Sequence, residues 1–163
     1  MLTLPRIVEL PARPYVAVRH KVVIPFDDVI PQIMAQLFGA IEAQKIQSPG
    51  EVIFKHEVID MPRLDMAFGV LLPQPAEATG DLIAGELPAG RYAELTHVGP
   101  YDELLEVNAV LIGWAKHKGL QWDVEPRPDG DHFASRLEIY HNGPDDEPDP
   151  QKYRTTVSIK LRD

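Results

Sequence analysis

The stretch "VELPARPYVAVRHKVVIPFDDV", residues 8–29, is written a second time as "GELPAGRYAELTHVGPYDEL", residues 85–104. Glu9-Leu10-Pro11-Ala12 matches Glu86-Leu87-Pro88-Ala89, Tyr15 matches Tyr92 and His20 matches His97, all at an offset of 77. Six of these twelve aligned positions are identical. Beyond the histidines the offset falls to 75, which aligns Pro25-Phe26-Asp27 with Pro100-Tyr101-Asp102. The chain is therefore a tandem duplication whose first copy carries two extra residues in one turn.

An amphipathic segment follows each copy of the motif. Phe26, Val29/Ile30, Ile33/Met34, Leu37/Phe38 and Ile41 recur at the three-and-four spacing of one helix face. Leu104/Leu105, Asn108, Leu111/Ile112 and Ala115 do the same in the second copy. Asp27 and Asp102 are the expected N-caps, Pro31 falls in a first turn that tolerates it, and Gly119 is the expected stop. Strand-like runs precede the helices at Tyr15–Arg19 and Tyr92–Val98. Two more follow each helix, at 52–58 and 66–72, then at 136–141 and 154–161.

The unit is β-α-β-β, written twice, with the polar, proline-bearing run Pro73–Asp81 between the copies. One such unit has too little core to stand alone. The expectation is a single α+β domain over residues 1–163, with repeat one at about 6–74, a linker at 75–82 and repeat two at about 83–162. Its architecture would be a curved antiparallel sheet with two helices on one face, pseudo-twofold symmetry, and a cleft between the repeats. The long connection Asp123–Ser135 is expected either to cover that cleft as a lid or to hang in solvent.

The chain has 163 residues, 44% hydrophobic and 25% charged, as a globular domain does. Its net charge of -9 opposes direct binding to nucleic acid and favours neutral or cationic partners. With no cysteine there is no disulfide, thiolate metal site or Cys nucleophile, which suits the cytoplasm. The N-terminus lacks the pattern of a signal peptide, and no apolar run is long enough to span a membrane. The six histidines show no ligand spacing, and no phosphate loop or nucleophile-elbow motif is present, so neither a metal nor a cofactor is expected.

Strand alternation selects the candidate site. In "SRLEIYH", residues 135–141, Leu137 and Ile139 point to one side while Arg136, Glu138 and Tyr140 point to the other. Placing the apolar pair under the helices sends Glu138 and Tyr140 to the opposite, open face. Aligning His56 with His141 makes Ile53 the counterpart of Glu138, and a slip of one makes it Phe54. The first copy has no carboxylate there in either register. Glu138 reads equally as a solvated carboxylate paired with Arg136 or Lys160. Tyr140 also reads as ordinary strand packing, which β-propensity favours, and His20 and His97 read as structural hydrogen-bonders rather than catalysts.

The run "LPAGRYAELTHVGPYDEL", a helix bearing Trp114, then "RLEIY" and "YRTTVSIKL", resembles the GyrI-like small-molecule-binding domain. That module also forms the effector-binding half of AraC-type and MerR-type bacterial transcription regulators. The resemblance implies the duplicated fold and a ligand cleft between the repeats. It implies a central glutamate at Glu138 and an aromatic wall at Tyr140, with Tyr101 and Trp114 as surrounding ligand contacts; Arg136, and Phe68, which could face either side of its strand, complete the candidate ligand set. The first repeat begins near residue 6, so a stand-alone domain without a DNA-reading element is expected.

Three functions follow from that resemblance. One is binding of a small hydrophobic or cationic molecule, as in multidrug-binding relatives. A second is hydrolysis of reactive, cyclopropanoid-type molecules, with Glu138 as general base and Tyr140 as its catalytic partner. A third is gyrase-inhibitor-like contact with a protein partner through the acidic run Asp145–Asp149.

Overall fold

The computed structural model describes residues 1–163. Ten strands and two helices run in the order β1 (Arg6–Leu10), β2 (Arg13–Val23), α1 (Ile30–Ala43), β3 (Val52–Asp60), β4 (Arg63–Leu71), β5 (Leu82–Leu87), β6 (Gly90–Val98), α2 (Leu104–His117), β7 (Val124–Arg127), β8 (Gly130–Phe133), β9 (Arg136–Tyr140) and β10 (Arg154–Lys160). Two helices and one large, open antiparallel sheet make the fold α+β. The main path of the sheet is β1-β6-β10-β9-β3-β4-β2-β5, so the two repeats meet where β9 pairs with β3.

The six strands expected from sequence are present, and four more accompany them. β1 and β5 carry the repeated Glu-Leu, and the Pro-Ala that follows joins each to the next strand. Neither pairs with that next strand. β1 lies against β6 of the second repeat and β5 against β2 of the first, so the copies exchange their leading strands. The segment expected as lid or free loop is the hairpin β7-β8. It continues the sheet because β3 outruns the five-residue β9 and offers Val58 and Ile59 to β8.

Each helix is fed by a 3-10 turn, Asp27–Val29 and Tyr101–Glu103. The turns pass straight into the helices with helical torsions at Val29 and Glu103, so Asp27 and Asp102 make no capping hydrogen bond, contrary to the sequence expectation. They remain acidic residues at the positive end of the helix dipole. Gly119, at φ +71°, ends α2 as expected, with Leu120 N–H donating to Ala115 O and Gly119 N–H to Lys116 O.

Both helices lie on one face of the sheet. Ile33, Leu37 and Ile41 of α1 pack with Val16, Val18, Met66, Phe68 and Val70. Val107 and Leu111 of α2 pack with Ala93, Leu95, Val157 and Ile159. The other face has no helix, yet Tyr15, Ala17, Ile53, Ala67, Tyr92 and Leu137 are buried there in one cluster drawn from strands across the whole sheet. Such burial requires the sheet to curl over that face. The repeated tyrosines belong to this interior, with Tyr92 donating its hydroxyl to Pro88 O at 2.7 Å. The repeated histidines tie strand to helical segment: His20 Nε2 lies 2.6 Å from Gln36 Oε1 of α1, and His97 Nε2 lies 2.9 Å from Glu103 Oε2.

Candidate functional site

The central strands β3 and β9 run between the two helices. Leu137 and Ile139 belong to the helix-free cluster, which reverses the expected sidedness of β9. The curled sheet supplies an apolar interior without helices, and alternation then turns Arg136, Glu138 and Tyr140 toward the helix face. Tyr140 accordingly packs against both helix-side clusters. The candidate site therefore lies on the sheet face between α1 and α2, not on an open face behind them.

The register settles the internal correspondence. Phe54 stands opposite Glu138, Phe54 also pairs with Phe68, and Glu138 pairs with Val157. One strand further out, Phe68 pairs with Val18 and Val157 with Leu95. Val18 and Leu95 are related by the repeat offset of 77, so Phe54 is the counterpart of Glu138. The sequence reading with Ile53 was one residue out of register. By the same relation His56 is the counterpart of Tyr140, and Val52 of Arg136.

Glu138 is 9% exposed. Burial drives its carboxyl up to about 7, against the smaller downward pulls of a Tyr140 hydrogen bond and of Arg136. The Tyr140 hydroxyl donates to Glu138 Oε1 at 3.4 Å, and its own pKa is raised well above the ordinary tyrosine value by burial and then by the carboxylate. On the other side, the Arg136 guanidinium lies 4.9 Å over the Phe133 ring. Arg136 Nε is buried without a partner, and burial lowers the pKa of the group. His56, opposite Arg136 on this face, is pushed down to about 3 by burial and then by Arg136, so it is neutral. Its Nδ1 is also buried and unpartnered.

Aromatic rings cross this face from one helix start to the other. Phe26 meets Phe68, Phe68 meets Phe54, Phe54 meets Tyr140 at 4.7 Å, Tyr140 meets Tyr101 at 5.4 Å, and Tyr101 stacks on Tyr153 at 4.6 Å. Half of the twelve aromatic residues thus form one continuous chain beside Glu138.

Of the sequence candidates, Glu138, Tyr140 and Tyr101 come together, and Arg136 stands on the same face of the same strand. Phe68 is fully buried beneath Phe26 and Phe54, so it supports the wall from behind. Trp114 packs against the α2 cluster, as Leu120, Trp122 and Phe133 also do. Phe54, His56 and Tyr153 were missed as site residues. A one-residue change of register would have exposed the first two, whereas nothing local marks Tyr153. Two open hollows lie elsewhere: one of about 320 Å³ between His20–Val22 and the start of α1, the other of about 420 Å³ along the β7-β8 hairpin. Glu138 lines neither.

A duplicated α+β domain with a buried carboxyl and an aromatic chain on the sheet between its two helices is the arrangement to set beside known small-molecule-binding modules. The chain matches the GyrI-like small molecule binding domain over residues 3–162 and belongs to that family. No curated protein sequence matches it.

Among solved structures it resembles the EcmrR C-terminal domain at 15% identity and a TM-score of 0.76, covering 98% of this chain and 97% of that one. Against EcmrR in a DNA complex it spans 57% of the longer chain, at 18% identity and a TM-score of 0.77. A hydrolase from Listeria innocua is similar at 15% identity and a TM-score of 0.63, over 97% of this chain and 91% of that one. SAV2435 bound to tetraphenylphosphonium is similar at 9% identity and a TM-score of 0.63, over 98% and 94%. No helix is long and apolar enough to cross a membrane.

Proposed function

We propose that this protein binds a hydrophobic small molecule carrying a cationic group, in the groove between α1 and α2, with Glu138 as its central polar contact. The observation that carries this reading is the carboxyl held at about 7 in a site only 9% exposed. A carboxylate so withdrawn from water is costly unless compensated, and an entering cation compensates it. The charge-assisted contact contributes about 1.5–3 kcal/mol. A cation over the Tyr140 ring adds about 0.5–2 kcal/mol. The net charge of -9 raises the local concentration of cations around the molecule. Admission requires Tyr140 to swing away from Phe54 and Tyr101, since Glu138 is closed over.

Thermal melts with tetraphenylphosphonium test this reading. At pH 8 the wild type should gain stability with ligand concentration, and Glu138→Gln should lose most of that gain. An equal ligand-induced shift in both proteins would remove Glu138 from the site.

A second reading, hydrolysis, is favoured by the same carboxyl because a base near 7 suits water activation at neutral pH. Glu138 would take a proton from water and the Tyr140 hydroxyl would steady the developing charge, with a strained cyclopropane or an ester as electrophile. Mass measurement over time should then show a reactive cyclopropyl compound gaining one water, at a rate lost in Glu138→Gln. No gain, or a gain unchanged by the substitution, leaves binding alone.

A further inference from the structure

Resting on the reading of Glu138 as the ligand carboxylate, we infer that the ligand is amphoteric: an acidic group seats on Arg136 while the cationic part faces Glu138. Arg136 and Glu138 project to the same face of β9 two residues apart, so their strand positions are separated by about 7 Å. The guanidinium is half-buried, rests on the Phe133 ring and has its Nε buried and unpartnered. Glu138 and Asp131 act on it only through space, without a salt bridge. A guanidinium with one nitrogen buried and unpartnered and no carboxylate bonded to it is only partly compensated. Its planar fork is suited to bidentate capture of a carboxylate. His56, beside it, carries no charge and offers a second buried, unpartnered nitrogen.

A simple cation would satisfy Glu138 and leave Arg136 repelling it at short range. A molecule bearing both charges satisfies both residues. The site is then polar at each end of a short segment, with Tyr140 beyond Glu138 on the side away from Arg136 and Phe54 across the strand pair forming the apolar wall.

Rhodamine B, which carries a xanthylium cation and a carboxylate, and its methyl ester, which is cationic only, separate these cases by fluorescence anisotropy at pH 8. The acid should bind wild type about tenfold or more tightly than the ester, the worth of one charge-assisted contact. Arg136→Gln should bring the two dyes within about twofold, mainly by weakening the acid. If thermal melts show that this variant does not fold, Arg136→Met keeps the apolar stem over Phe133 and takes its place. An ester that binds wild type as tightly as the acid, with both still weakened by Glu138→Gln, overturns the inference alone. So does an acid preference that survives loss of the guanidinium. Dyes that fail to bind, or bind without regard to Glu138→Gln, overturn the cleft reading and the inference with it.

Discussion

Phe54 and Glu138 face each other across the β3–β9 seam and occupy equivalent positions in the two repeats. One copy placed an aromatic ring beside the pseudo-twofold axis and the other a carboxyl. The repeat therefore breaks its own symmetry at the seam where β3 and β9 pair, and puts a polar group there. The repeated Glu-Leu-Pro-Ala, tyrosine and histidine lie in the framework instead.

Glu138 should cost the protein stability above neutral pH. Its folded value of about 7 exceeds the ordinary 4.5, so the native state retains a proton that the unfolded chain has already released. Below pH 4.5 both states are protonated and nothing is lost. Stability then falls as pH rises from 4.5 to 7, by about 3 kcal/mol in total. Glu138→Gln has no charge to bury, so relative to wild type it should become more stable by about that amount between pH 4 and pH 8. Urea unfolding at the two pH values checks this, and parallel curves for the two proteins would mean the carboxyl is well solvated.

Tyr140→Phe separates the ring from its hydroxyl. The ring still packs between Phe54 and Tyr101, while the hydrogen bond that lowers the Glu138 pKa is gone. Binding of a cation such as tetraphenylphosphonium should weaken at pH 7 by about twofold to tenfold and recover at pH 9, where the carboxyl is ionised regardless. A titration series by calorimetry reads both points. If the protein hydrolyses its ligand with help from the hydroxyl, turnover stays low at pH 9 while binding recovers.

Much of this fold was legible in the sequence because the duplication supplied two independent readings of each element. Helix periodicity and the common offset agreed over Tyr15–Ile41 and Tyr92–Ala115. The leading strands β1 and β5 were hidden because each pairs with the other repeat, and an exchange of that kind leaves no local trace. The sidedness of β9 was misread for a related reason. Leu137 and Ile139 look like residues awaiting a helix, but a curled sheet buries its own inner face. Glu138 was recoverable as the residue the copies do not share, whereas Tyr153 reaches the site only through its stacking on Tyr101.

Phe54 should carry a large share of the stability of the groove. It is 7% exposed and meets Phe68 at 4.8 Å and Tyr140 at 4.7 Å, both edge-on. Phe54→Ala leaves a cavity between them and is expected to cost about 3–5 kcal/mol in chemical denaturation. Phe54→Leu retains most of the volume and should cost clearly less. Equal losses for the two would show that the edge contacts, not the filled space, set the energy.

On the helix-free face a polar chain crosses the same seam and predicts a loss of stability with no loss of binding. Glu51, just before β3, bonds His141 Nδ1, just after β9; His141 Nε2 meets Thr156 Oγ1 at 2.6 Å, and Thr156 Oγ1 meets Thr96 Oγ1 of β6 at 2.8 Å. Thr156→Val removes the shared hydroxyl and strands the groups on either side of it, at a cost of about 1–3 kcal/mol. Thr96→Val interrupts only the last link and should cost about 1 kcal/mol. The double variant should lose less than the two single losses combined, because each substitution removes a partner the other would have stranded. Ligand affinity should be unchanged throughout, since the chain faces away from Glu138. A weakened cation affinity in Thr156→Val would instead mean that the two faces of the seam are coupled.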